Sequence, residues 1–177
     1  MNPNMTADEV IEERDELMQI MENCQFKTPQ DVCDYFTAYT KLIWTHKQIG
    51  YIYERYNDTI SSRCDGGEIY SGAFAVVAAT LATIARYPDL EVVFCEIHCT
   101  GNEKTGYRFG QVVYNLASTR GGISSYGIGT GVAFEPYEDL EMCECVVQFV
   151  EGKWRIVDEW ENRSSFAYER VLKPQET

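Results

Sequence analysis

The chain is poor in cations: 15 Lys and Arg stand against 28 Asp and Glu in 177 residues, a formal charge of −13. So acidic a molecule repels phosphate backbones and anionic headgroups, which argues against nucleic-acid and membrane partners. A secretory leader is not expected either, because Asp8, Glu9, Glu12, Glu13, Asp15 and Glu16 occupy the place of a basic start and an apolar run. Long apolar stretches are missing. Residues 73–85 come nearest, but they are broken by Thr80 and Thr83 and fall short of the ~20 residues that span a bilayer. Seven cysteines, an odd number without a CxxC pair, argue against a disulfide framework and for a reduced, cytoplasmic protein. Histidine is scarce: His46 and His98 belong to no HExxH pair, and Cys95/Cys99 and Cys143/Cys145 have poor zinc-knuckle spacings, so no metal is expected. Gly127, Gly129 and Gly131 are not followed by a helix that could receive a phosphate, and no GxSxG elbow occurs. Nothing in the residues calls for a cofactor.

What remains is an ordinary globular composition, 45% hydrophobic and 13% aromatic with 12 Tyr, in a length that suits one domain. Thr6 with Glu9 predicts a capping box, followed by Val10, Leu17, Met18 and Met21 at helical spacing. Thr28 with Pro29 starts a second helix, whose stripe is Val32, Tyr35, Phe36, Tyr39 and Ile43. A short third helix carries Ile52, Tyr53 and Tyr56. A strand over residues 59–64 then meets a turn at Asp65, Gly66 and Gly67. Ser71 is the expected cap of a fourth helix with stripe Phe74, Val77, Leu81 and Ile84. Residues 90–99, 107–118, 141–150 and 153–163 read as long strands of an antiparallel meander, interrupted by a glycine-rich crossing over residues 119–131. Helices first and strands afterwards predict an α+β fold in which helices cover one face of a curved sheet.

Tyr35, Phe36, Ala38 and Tyr39, then Tyr56, Asn57 and Asp58, then Thr130 and Gly131, and finally GKWRIVDEW over residues 152–160 resemble the SnoaL-like branch of the nuclear-transport-factor-two-like superfamily. The likeness covers roughly residues 28–163. It implies a helical extension over residues 1–27 and a SnoaL-like α+β domain over residues 28–177. The domain would be a cone-shaped curved antiparallel sheet with N-terminal helices on its concave face. The resemblance further implies a homodimer and a hydrophobic small molecule bound in an apolar cavity. The chemistry it implies is cofactor-free proton transfer beside a carbonyl of a polycyclic compound such as a steroid or polyketide, by a lyase, isomerase or cyclase. A non-catalytic ligand-binding or dimeric interaction module is the alternative on the same fold.

Such chemistry needs a base near neutrality and a donor for the developing oxygen. Simple alternation puts Val92, Phe94, Glu96 and His98 on one strand face, so His98 either shuttles a proton in the cavity, oriented by Glu96, or ends a strand without such a role. Glu144 either faces water or enters the cavity; the resemblance registers it with the oxyanion-hole aspartate of ketosteroid isomerases. Tyr35 registers likewise with the family's oxyanion tyrosine, its other reading being core packing. Tyr39, Tyr53, Asp58, Tyr114 and Trp160 are candidate substrate contacts. Two positions depart from the family: Arg63 and Cys64 stand near the isomerase's base aspartate, and Glu161, Asn162, Arg163 and Ser164 follow Trp160 where cyclases carry an aspartate.

Overall fold

The computed structural model describes residues 5–64, 67–120 and 132–164. Reciprocal capping boxes start both leading helices. At α1 (Ala7–Asn23) the Thr6 hydroxyl accepts from the Glu9 amide at 3.3 Å, and the Glu9 carboxylate accepts from the Thr6 amide at 2.7 Å. At α2 (Pro29–Trp44) Thr28 and Asp31 repeat this at 3.1 and 3.2 Å, with Pro29 where no intrahelical N–H is required. Val32, Tyr35, Phe36, Tyr39, Leu42 and Ile43 form the buried stripe of α2, each such side chain contributing about 1.5–3 kcal/mol by its burial. Leu17 and Met21 bring α1 onto α2.

Two boundaries differ from the sequence reading. The short α3 (Tyr51–Arg55) runs directly into β1 (Tyr56–Cys64), because Tyr56 is drawn into the sheet, where its hydroxyl bonds Glu159. Ser71 ends β2 (Glu68–Ser71), and Gly72, at φ +84°, makes the corner into α4 (Ala73–Arg86) without a side-chain cap. The buried stripe of α4 is therefore Ala73, Val76, Val77 and Thr80, and Phe74 is 76% exposed.

The strands β3 (Glu91–Asn102), β4 (Gly106–Arg120), β5 (Val132–Val150) and β6 (Lys153–Arg163) complete an open six-stranded curved sheet of order β2-β1-β6-β5-β4-β3. All pairings are antiparallel except β1 with β6, so the expected antiparallel sheet is mixed at one seam. The glycine-rich crossing is shorter than expected, since β4 continues to Arg120 and β5 begins at Val132; residues 121–131 lie outside the described residues. Helices α2 and α4 lie on the concave face. No helix among the described residues is long and apolar enough to cross a membrane.

Candidate functional site

A cavity of about 120 Å³ lies between α2, α4 and the concave face of the sheet. Its floor is built by alternation along β5 and β6, whose register sets Glu141 opposite Arg163, Cys143 opposite Glu161 and Cys145 opposite Glu159. Arg163 pairs with Glu141 at 3.1 Å and with Glu161 at 2.5 Å, and the Asn115 amide donates to Glu141 at 2.6 Å. Those two carboxylates thereby share the Arg163 guanidinium. Glu159 is only 5% exposed, and among the described residues no cation pairs with it. Instead the Tyr56 hydroxyl donates to its Oε1 at 2.7 Å, and the thiols of Cys143 and Cys145 each donate to the same oxygen at 3.5 Å. Such donors offset the cost of burying a carboxylate. All three end on Oε1.

Burial, aided by the Glu159 charge, raises the Tyr56 hydroxyl well above its ordinary range; burial and neighbouring Tyr35 do the same for Tyr39. Both are neutral donors around neutrality. The Cys143 thiol is raised by its bond with Cys145 and by burial. For Cys145 the bond with Cys143 acts downward, yet burial and Glu159 leave it at about 11. On β4, Gln111 accepts from the Thr40 hydroxyl at 3.2 Å through Oε1, which leaves its amide nitrogen to donate into the cavity.

Of the eight residues singled out from the sequence, Tyr39 lines this cavity and the others do not. His98 is exposed on the convex face opposite Gly110, where a Cβ would stand 2.3 Å from the imidazole. The cause is a bulge between Phe94 and Glu96: simple alternation would keep Val92 and His98 on one face, but the extra residue leaves Val92 buried and turns Glu96 and His98 outward. Glu144 is also on the convex face, in a surface pair with Arg108 at 2.6 Å, and Trp160 lies beside it under the Arg63 guanidinium, 5.4 Å from the ring centre. Tyr114 points outward opposite Val93, Tyr53 is 49% exposed on α3, and Asp58 is exposed on β1. Tyr35 is buried in the aromatic core and accepts a hydrogen bond from Arg55. His98, Gly110, Glu144 and Trp160 thus form one row across the outside of the sheet.

The chain matches no protein-family profile and no curated protein. Solved structures do match. A protein assigned as a SnoaL-like polyketide cyclase from Jannaschia sp. CCS1 superposes with a TM-score of 0.52 at 11% identity, over 72% of this chain and 80% of its own. A cystatin-like-fold protein from Caulobacter vibrioides superposes at 0.51 and 13% identity, over 90% and 97%. The chain has the SnoaL-like fold. The hexachlorocyclohexane dehydrochlorinase LinA-type3 from Novosphingobium barchaimii LL02 shares it, at 0.54 and 10% identity over 71% and 79%. At such identities the likeness is one of fold.

Within this SnoaL-like fold the residues that sequence reasoning missed are Glu159, Tyr56, Gln111 and the Glu141–Arg163–Glu161 group. Glu159 lay inside the GKWRIVDEW segment, but counting by twos from the buried Ile156 puts Asp158 inward. The register shows why that count fails: Val147 faces Ile156 and Val146 faces Asp158, so Val157 is an extra residue that turns Glu159 into the cavity. A usable signal did exist on β5, where Glu141, Cys143 and Cys145 alternate with Met142 and Glu144.

Proposed function

We propose that the protein is an acid–base enzyme, a lyase, isomerase or cyclase, acting on a neutral carbonyl compound held in the concave cavity. The observation that carries this reading is Glu159, a cavity carboxylate positioned by Tyr56 at 2.7 Å and paired with no cation among the described residues. Its carboxylate lines the cavity, and a carboxylate is one of the side chains that takes a proton in such chemistry. Glu159, held by the Tyr56 hydroxyl, would remove the proton beside the carbonyl, and the Gln111 amide would donate to the developing oxygen. The fold held in common with a cyclase and a dehydrochlorinase supports an enzyme, and so does a lining rich in titratable groups.

Volume and charge narrow the substrate. A space of about 120 Å³ compares with the ~150 Å³ cavity that accommodates benzene, which favours a single ring or a short chain over the polycyclic compound expected from the resemblance. Three carboxylates against Arg163 disfavour anions. The protein is expected to melt at higher temperature with neutral single-ring ketones and to move solvent deuterium into the carbon beside their carbonyl. Stabilisation without any exchange across the panel would favour the binding module instead.

A further inference from the structure

The two thiols beside Glu159 have a geometry that proton transfer does not require. Alternate residues on an extended strand have Cα atoms about 6.6 Å apart, yet the sulfurs of Cys143 and Cys145 lean together to 3.7 Å. Each stands 3.5 Å from Glu159 Oε1 on the facing strand. With Zn–S of about 2.3 Å and Zn–O of about 2.0–2.2 Å, a zinc tetrahedron has an S···S edge of about 3.8 Å and an S···O edge of about 3.6 Å. The three donor atoms therefore already mark one face of such a tetrahedron. All three residues are buried and all three line the cavity, so the fourth vertex falls on the cavity side, open to water or a small ligand. Tyr56 supplies the outer hydrogen bond that fixes a ligating carboxylate. Charge points the same way, since Glu141, Glu159 and Glu161 outnumber Arg163.

The geometry points to Cys143, Cys145 and Glu159 as a three-ligand site for a thiophilic divalent cation, zinc being the ion whose bond lengths it fits. Two thiols and a carboxylate suit zinc or cadmium and exclude the hard cations magnesium and calcium. Binding replaces the two thiol protons, which leave to solvent, with two S–Zn bonds; no oxidant or reductant takes part. This goes beyond the proton-transfer reading and is tested without substrate. If both hold, zinc at Glu159 removes the base and inhibits exchange.

The test uses the full chain, stripped with a chelator under reducing conditions and dialysed against Zn²⁺ alone. One zinc per chain is expected, with X-ray absorption showing two sulfur and further light-atom scatterers. Cys143→Ser and Cys145→Ser should each weaken binding at least ~100-fold and Tyr56→Phe ~10-fold, whereas Cys95→Ser should leave it unchanged. Cd²⁺ should produce a thiolate charge-transfer band on the wild type. A wild-type chain that binds no zinc, or binds it without sulfur or with four sulfurs, overturns the site whether or not the serine variants fold. So does zinc binding undiminished in both serine variants.

Discussion

Lys47 ends the turn after α2 with its ammonium donating to the carbonyls of Trp44 at 2.5 Å and Leu90 at 2.9 Å. Burial lowers it from 10.5 to about 8 against the opposing pull of Asp89 and Glu91. Between those two values the unfolded chain binds more protons than the folded one, so this group's contribution to stability rises with pH through the window and is least below pH 8. Burial acts oppositely on thiols: Cys64 and Cys99, held at about 12, keep protons that the unfolded chain releases above pH ~9, and they lower stability there. Lys47→Met isolates the lysine. Urea unfolding at about pH 7 and about pH 10 should show the wild type gaining on the variant as pH rises; an unchanged difference would show that Lys47 stays charged without penalty. Two glycines make a second contrast. Gly101 has φ +114° and would place a Cβ 2.2 Å from the Gly106 carbonyl oxygen, so Gly101→Ala should cost about 2–3 kcal/mol in the same assay. Gly110→Ala has only the exposed His98 ring to push aside and should cost less than ~1 kcal/mol.

At the scale of elements, α1 is an integral layer. Leu17 and Met21 are buried in the main core with Met18 against them, and His46, at the end of α2, meets Glu13 at 3.1 Å. Deleting residues 2–24 should lower stability by at least ~3 kcal/mol, measured by denaturant unfolding, because large buried side chains each contribute that order. An unchanged midpoint would make α1 a free appendage. The helices and strands were largely legible because their signals are local: the capping pairs Thr6–Glu9 and Thr28–Asp31, the α2 stripe, and β-branched runs between glycines. The site was not legible, and the reason is specific. Face assignment by twos survives only until a bulge, and β3 and β6 each contain one between the readable residues and the functional positions. One bulge turns His98 away from the cavity, and the other turns Glu159 into it. Tyr39 was found because a helix stripe has no such failure over two turns.

At the scale of the molecule, the convex face carries Val93, Tyr114, Leu116 and Met142 exposed around the row from His98 to Trp160. We propose that a second copy covers it, making the homodimer expected from the resemblance. Sedimentation should show twice the chain mass at micromolar concentration, and Met142→Glu should halve it; a single-chain mass for the wild type would contradict this. On these two proposals association would lie outside and chemistry inside, so outward residues could be lost without losing the reaction. The most direct test of that division is solvent-deuterium exchange into one stabilising single-ring ketone by three proteins, the wild type, Glu159→Gln and His98→Ala. General-base catalysis in the cavity predicts a loss of ~10²-fold or more in Glu159→Gln and a near wild-type rate in His98→Ala. Full activity in Glu159→Gln, or its loss in folded His98→Ala, would contradict the account.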